Sequence, residues 1–121
     1  MPHVGANLEV DVADRAVTVI TAAEQMQGRL AVINRARTET DAARGFERLR
    51  ETIAFYSAVQ VLPYDTAAVA EFERLRREGI RIGTQDLRIA SIVLSGDATL
   101  ITRNTRDFGL VPMLRILDWS V

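Results

Sequence analysis

From Ala16 onward the chain alternates short apolar runs with longer amphipathic stretches. The run "AVTVIT" (Ala16–Thr21) is short and rich in β-branched residues, which predicts a buried strand. The runs "VQVLP" (Val59–Pro63) and "ATLIT" (Ala98–Thr102) have the same character, and "LRILDW" (Leu114–Trp119) predicts a last short strand. We therefore expect four strands, spread along most of the chain.

Apolar residues at helical spacing fill the intervals between these strands. One helix is predicted from Ala22, and a second, over Thr38–Ala58, is expected to pack on it as a hairpin. Two more helices follow the second strand. The predicted apolar stripes are, in chain order, Met26, Leu30 and Ile33; Phe46, Leu49, Ile53 and Tyr56; Val69, Phe72 and Leu75; and Leu87, Ile89, Ala90, Ile92, Val93 and Leu94.

Side chains suited to helix ends mark the third and fourth helices. Asp65 or Thr66 is expected to cap the third, and Thr84 the fourth. The spacing of Glu73 and Arg77 predicts a supporting ion pair on the third helix. The resulting order is strand, two helices, strand, two helices, strand, loop, strand.

This order predicts an α/β fold in which helices cover a parallel sheet on both faces. The length of 121 residues suits one domain, residues 1–121, in which residues 1–15 are poorly specified. In such sheets ligands bind beyond the carboxyl ends of the strands. The functional site is therefore expected at the edge of the sheet where the carboxyl ends of the strands lie.

The composition limits which kinds of metal site and which cellular locations are expected. The chain has no cysteine, so any metal must be held by oxygen ligands, and a reducing cytoplasmic location is expected. The apolar runs are too short to cross a bilayer, and the N-terminus does not resemble a secretory signal. A net charge of −1 argues against nucleic-acid binding through the overall field. All 15 basic residues are arginine, which reflects either coding bias or a need for guanidinium groups that bind phosphate.

Four oxygen-bearing side chains are predicted to meet at the carboxyl edge of the sheet. Glu24 and Asp86 are expected in the first turns of their helices, and Asn104 and Asp107 follow the strand Ala98–Thr102. Singly, the two acids can simply complement a helix dipole, and the loop pair can bond its own backbone. Together they repel one another unless a divalent cation lies between them, and Mg²⁺ or Mn²⁺ prefers such ligands. Gly28 either leaves space beside Glu24 or allows a close helix contact.

Two stretches, "VTVITAAEQMQG" and "RIGTQDLRIASIVLSGDATLITRNTRDFGLVPMLRILDW", resemble the PIN-domain ribonucleases, in particular bacterial toxins of the VapC type. The resemblance implies a three-layer α/β/α domain with a central, mainly parallel sheet. It also implies cleavage of RNA, often transfer or ribosomal RNA, with Mg²⁺ or Mn²⁺ as cofactor. A VapB-like antitoxin and a second copy of the chain are the implied protein partners.

The resemblance also assigns roles to individual residues. By position, Glu24 matches the family's second acidic ligand and Asp86 the third, and the fourth position falls at Asn104, with Asp107 the nearby carboxylate. Glu24, Asp86 and Asp107 are then the expected catalytic carboxylates. Arg103 and Arg106 are expected to bind flanking phosphates of the substrate.

One departure from the family is expected to matter. Its first strand, which ends in the first metal-binding aspartate and lies centrally in the sheet, has no counterpart before Ala16. Either the flanking strands close up, or another chain or the N-terminal segment fills the gap, or the natural gene starts upstream. Asp11 and Asp14 precede the strand Ala16–Thr21 and should lie at its opposite end, so they are poor substitutes.

This departure leaves the function open between alternatives. A toxin-type endoribonuclease would be impaired or inactive without the first aspartate. A catalytically inactive PIN-like domain would act by binding an antitoxin or a second copy of itself. In a non-nuclease α/β module, "LITRNTRDF" (Leu100–Phe108) would be merely structural. Trp119 is expected in the core, and His3 is expected to be exposed without a role.

Overall fold

The structure, a computed structural model, describes residues 16–118. Predictions made for His3, Asp11, Asp14 and Trp119 lie outside these described residues. The elements follow one another in the predicted order. They are β1 (Ala16–Thr18), α1 (Val19–Asn34), α2 (Glu39–Ser57), β2 (Gln60–Leu62), α3 (Thr66–Arg77), α4 (Thr84–Ser95), β3 (Thr99–Thr102), α5 (Thr105–Phe108) and β4 (Arg115–Asp118).

The boundary between β1 and α1 differs from the prediction. The strand was expected to extend to Thr21, but it ends at Thr18, and α1 begins at Val19 rather than Ala22. Thr18 is the N-cap of the helix, and its Oγ1 accepts a hydrogen bond from the Thr21 backbone N–H at 3.1 Å. This cap satisfies a free donor of the first turn, so the β-branched residues that follow it adopt helical structure.

The start of α3 agrees with the sequence, but its ion pairs do not. Asp65 is the N-cap, as predicted. The predicted Glu73–Arg77 pair was wrong, because the ion pairs of this helix use Arg74. Its guanidinium group lies 2.6 Å from a Glu71 oxygen and 2.8 Å from a Glu78 oxygen. One arginine three residues after one acid and four before another can bind both.

Two further corrections concern the ends of α4 and the loop after β3. The N-cap of α4 is Gly83 rather than Thr84, which is the first helical residue, and no side chain caps this helix. The segment after β3 was predicted as a loop, but it contains the one-turn helix α5. Asn104 is the N-cap of α5, and its side chain accepts a bond from the Asp107 backbone.

The strands are parallel, as predicted, but they form two separate pairs. Ala16 of β1 lies opposite Gln60 of β2, and Thr99 of β3 lies opposite Arg115 of β4. Across residues 16–118 no ladder joins the two pairs, so β1 and β3 do not close up on each other. Helix α4 contacts both of these strands, and α1 also contacts β1. Parallel strands covered by helices agree with the expected three-layer α/β/α architecture.

The core of the described region is built around α4. Its fully buried side chains include Leu87 and Ile92, and Leu75 of α3 belongs to the same apolar cluster as Leu87. The main cluster consists of Leu75, Leu87, Ile89, Ala90, Val93, Phe108 and Val111. Helix α1, in contrast, contains no buried residue. No helix in residues 16–118 is long and apolar enough to cross a membrane.

Candidate functional site

Asp86 lies in the first turn of α4, as predicted, at the edge of the core. Its carboxyl group is partly buried, because the neighbouring residue Leu87 anchors the helix in the apolar cluster. Burial is the main cause that raises the pKa of Asp86 above its ordinary value, and the negative charge of Asp107 raises this pKa further. The Asp86 carboxylate therefore lies in surroundings that disfavour its own charge.

Asp107, on α5, is the group that approaches Asp86. It follows β3 by five residues, so the carboxyl end of that strand places it at the predicted edge. Its electrostatic effect on Asp86 shows that two acids distant in sequence lie near each other. When two carboxylates converge and their repulsion raises a pKa, a bound cation relieves that repulsion.

Asn104 holds Asp107 in place through two hydrogen bonds. Its Oδ1 accepts from the Asp107 backbone N–H at 3.3 Å, and its Nδ2 donates to Asp107 Oδ2 at 3.2 Å. The backbone N–H of Asn104 donates in turn to Thr102 Oγ1 at 3.0 Å, which ties the turn to the end of β3. The loop pair Asn104 and Asp107 thus does hydrogen-bond its own backbone, which was one of the two explanations offered for these residues. Asn104 as a direct metal ligand stays a prediction, and its bonds to Asp107 are those of a positioning residue.

The two arginines of this segment are exposed. Arg106 Nε lies 3.8 Å from Asp107 Oδ1, and the Arg106 side chain is 94% exposed, so this pair is weak. Arg103 is also exposed. Both residues are thus exposed to solvent. Their role toward phosphates stays a prediction.

Glu24 lies on α1, and its setting differs from the expected one. Because α1 begins at Val19, Glu24 is the sixth residue of the helix and not part of its first turn, so the helix-dipole explanation fails for it. The side chain is exposed. A Cβ added at Gly28, one turn further on, would meet nothing within 4 Å. The open-space explanation of Gly28 is therefore correct, and the close-contact explanation is wrong.

The structure brings together some of the predicted site residues but not all. Asp86, Asp107 and Asn104 form one neighbourhood at the ends of β3 and α4. Among residues 16–118, no three acidic, histidine or cysteine side chains are grouped closely enough to hold a metal ion, so Glu24 is not joined to the two aspartates. Magnesium can be bound through one or two carboxylates, with water and substrate phosphate as the other ligands. The aspartate pair fits such a cation, and Glu24 as a third ligand stays a prediction.

Sequence reasoning missed one feature, a cavity between α1 and α2 lined by four arginines. These are Arg29, Arg35, Arg44 and Arg48. The signal available in the sequence was weak, since only Arg44 and Arg48 share a helical face at a spacing of four. The other two come from a different helix, and only the folded hairpin brings the four together.

Comparisons with known proteins agree with this architecture. The chain is 39% identical over 70 residues to the tRNA(fMet)-specific endonuclease VapC of Shigella flexneri, covering 54% of this chain and 53% of that protein. It is 32% identical over 70 residues to ribonuclease VapC2 of Rickettsia felis, covering 54% and 52%. The chain thus spans about half the length of the curated relatives that it matches.

A solved structure extends the likeness to almost the whole chain. DNA-bound VapBC from Salmonella typhimurium matches with a TM-score of 0.74 at 25% identity, covering 98% of this chain and 86% of that chain. No family model matches the sequence. The likeness therefore rests on one half of the sequence and on a fold shared over nearly all of it. In sequence over about half its length, and in fold over nearly all of it, the chain is similar to toxins of the VapC type.

Proposed function

We propose that this protein is a metal-dependent endoribonuclease of a toxin–antitoxin system, which hydrolyses phosphodiester bonds in RNA. The observation that carries the proposal is the convergence of Asp86 and Asp107, at the expected edge, with a raised pKa for Asp86. Structural carboxylates usually pair with cations, whereas Asp86 has no ion pair among residues 16–118 and Asp107 has only a weak one, with Arg106 at 3.8 Å. A site whose carboxylates oppose each other suits a divalent cation.

In this proposal Asp86 and Asp107 hold Mg²⁺ or Mn²⁺, whereas Glu24, which is not grouped with them among residues 16–118, stays a predicted third ligand. When bound, the ion would polarise a phosphodiester oxygen and activate a water molecule. Asn104 keeps the Asp107 carboxylate oriented through its two hydrogen bonds. The half-burial of Asp86 keeps part of the site away from bulk water, which strengthens its electrostatic interactions. Arg103 and Arg106 contribute exposed guanidinium groups for phosphates beside the scissile bond.

The substrate that we propose is a structured RNA, with transfer RNA first and ribosomal RNA second. Transfer RNA is named for the Shigella flexneri relative. The net charge of −1 does not favour RNA overall, so binding must depend on local clusters of arginine. Such local recognition suits an enzyme that selects one RNA among many.

A VapB-like antitoxin is the protein partner that we propose, and the α1–α2 hairpin is the surface that suits it. Phe46 is 55% exposed and Ile53 50%, although both belong to the predicted apolar stripe of α2. Leu30 and Val32 of α1 are also about half exposed. Apolar side chains left in water along two packed helices are typical of an interface. A second copy of the chain is the other candidate for this surface.

A second candidate function is favoured by a specific observation. Within the part of the chain that the structure describes, no three potential ligands are grouped. A domain that binds an antitoxin without cleaving RNA needs no such group, and the exposed hairpin alone would serve it. This alternative predicts tight binding to the partner and no metal-dependent cleavage.

Titration of Mn²⁺ into the purified protein, with cleavage of labelled transfer RNA as the readout, distinguishes the two functions. The nuclease predicts cleavage that depends on Mn²⁺, is abolished by EDTA, and falls at least about 100-fold in Asp86→Asn, because that variant removes one of two charged ligands. Glu73→Gln, an exposed acid on α3, is the matched control and should cleave normally. Cleavage that survives Asp86→Asn would reveal a contaminating nuclease and favour the binding-only alternative.

A further inference from the structure

A cavity of about 480 Å³ lies between the C-terminal half of α1 and the N-terminal half of α2. Its wall contains Arg29, Arg35, Arg44 and Arg48, which together with Asp41 define what we call the arginine pocket. Four positive charges thus share one cavity with a single negative charge. The pocket shares none of its lining residues with the Asp86–Asp107 neighbourhood.

The positive charges of the arginine pocket are poorly neutralised. Asp41 reaches only Arg44, at 3.4 Å, and both side chains are more than half exposed. None of the ion pairs within residues 16–118 includes Arg29, Arg35 or Arg48. Four like charges gathered beside a single carboxylate raise the local positive potential, which attracts anions.

One of the guanidinium groups is fixed before any ligand arrives. Arg29 Nε donates a hydrogen bond to Thr52 Oγ1 at 3.1 Å. Thr52 is buried, and its own hydroxyl donates to the Arg48 backbone carbonyl at 2.9 Å. The bond occupies Nε of Arg29, so its terminal amino groups are the donors that remain for a ligand. A fixed fork of this kind favours the planar, two-point contact that phosphate accepts.

The close approach of the two helices shapes the floor of the pocket. Gly45, on α2, is buried, and a Cβ added there would lie 2.8 Å from Ile33 Cγ1 of α1. The glycine therefore lets the helices pack more closely than any other residue would allow. This packing brings arginines from both helices to one cavity.

One residue of the pocket, Arg35 at the C-cap of α1, is in register with Glu24 along the helix. Gly28 and Arg35 follow Glu24 by four and eleven residues, so all three lie on one face of a helix with 3.6 residues per turn. At 1.5 Å per residue, Arg35 lies about 16 Å along the axis from Glu24. Between them, the space beside Gly28 is open. An extended ligand bound near Glu24 can therefore follow this face to the pocket.

We propose that the arginine pocket binds backbone phosphates of the RNA substrate at a distance from the bond that is cleaved. The identity of the ligand as RNA rests on the function proposed above, whereas the affinity for phosphate rests on the pocket itself. RNA is favoured over an acidic protein segment because Arg35, one of the lining residues, lies on the same face as Glu24, where a substrate chain would run. The pocket would hold the RNA in place and contribute no group to the reaction.

The test measures RNA binding without cleavage, by fluorescence anisotropy of labelled transfer RNA in EDTA at 50 to 200 mM KCl. The pocket variant is Arg35→Gln/Arg48→Gln. The matched control is Arg77→Gln/Arg81→Gln, which removes two arginine charges from exposed positions outside the pocket that, like Arg35 and Arg48, belong to none of the ion pairs within residues 16–118. We expect affinity about tenfold lower for the pocket variant, and a salt-dependence slope smaller by about 1.4 to 1.8 because two phosphate contacts are lost. The control should change both quantities little.

Three results would overturn the proposal. One is equal loss of RNA affinity in the pocket variant and the control, and another is the absence of RNA binding by the unmodified protein. The third is a pocket variant that loses binding to an oligoglutamate peptide but keeps its affinity for RNA. Thermal unfolding of each variant verifies that it is folded. Since anisotropy is measured without metal, RNA binding through the pocket can hold even if Mn²⁺-dependent cleavage fails, and the two proposals fail separately.

Discussion

The α1–α2 hairpin and the region from α3 to β4 differ sharply in how they hold their side chains. The second region contains the main apolar cluster, centred on Leu87 of α4, and carries Asp86 and Asp107. The hairpin has no buried residue in α1 and leaves Phe46 and Ile53 half exposed. The proposed catalytic aspartates thus lie on a well-packed scaffold, whereas the hairpin presents apolar and cationic groups to solvent. This difference places the proposed aspartate pair on the packed scaffold, and the surface proposed for the antitoxin and the arginine pocket on the hairpin.

The largest effect is expected from a pair of leucine truncations, one in each region. Leu87→Ala removes a side chain that is 1% exposed and should lower the free energy of unfolding by about 2–5 kcal/mol. Leu30→Ala, at a position 47% exposed on α1, should lower it by less than about 1 kcal/mol. Urea denaturation followed by circular dichroism measures both. Equal losses would show that the hairpin is as tightly packed as the core.

A second comparison uses two glycines that lie within helices of the hairpin. Gly28→Ala should stabilise the protein by about 0.5–1 kcal/mol, because the alanine methyl meets no neighbour. Gly45→Ala brings the same gain in helix propensity but forces a Cβ against Ile33, which costs about 1–3 kcal/mol. Thermal unfolding should therefore rank Gly28→Ala above the unmodified protein and Gly45→Ala below Gly28→Ala. The reverse order of the two variants is incompatible with the close packing proposed for the pocket floor.

The helix caps of the two regions should contribute about equally to the free energy of unfolding. Thr38 caps α2 in the hairpin, with its Oγ1 accepting from the Asp41 N–H at 3.1 Å, and Asp65 caps α3 in the same way at 3.0 Å. Replacing either by alanine should cost about 1 kcal/mol, measured by chemical denaturation. A much larger loss for one of them would mean that local helix ends, and not burial, cause the difference between the regions.

The smallest predicted effect is a pH-dependent gain in stability for Asp86→Asn. Burial and Asp107 raise the pKa of Asp86, so its charged form opposes folding. This penalty is absent below the ordinary Asp pKa of about 3.9, and it grows as the pH rises through that value to the raised pKa. Asp86→Asn should therefore melt slightly above the unmodified protein at pH 7, and the difference should vanish on acidification. A lower melting temperature at pH 7 would show that Asp86 stabilises the fold.

Much of the fold could be predicted from the sequence, because burial follows periodicity. The apolar spacing of Leu87 to Leu94 predicted α4, and it does form the centre of the core. The predicted end of β1 was wrong because Val19 and Ile20 favour strands, whereas in the structure the helix begins directly after the Thr18 cap. Local propensity alone does not tell whether the strand preference of these residues or the helix cap prevails.

Only those parts of the candidate site that directly follow a strand could be predicted from the sequence. Asp107 and Asn104 follow β3 directly, so a parallel arrangement places them near the N-terminus of α4 and Asp86. Glu24 is separated from its strand by more than one helical turn, so the distance between it and the aspartates depends on how α1 packs. The arginine pocket depends on the packing of α1 against α2, which sequence spacing does not reveal.

Calorimetric titration of Mn²⁺ into the unmodified protein, Asp86→Asn and Asp107→Asn tests the central claim most directly. If the two aspartates hold one cation, the unmodified protein binds one Mn²⁺ and each single variant loses most of that affinity, because each leaves one carboxylate. Equal Mn²⁺ binding by all three proteins would contradict the account.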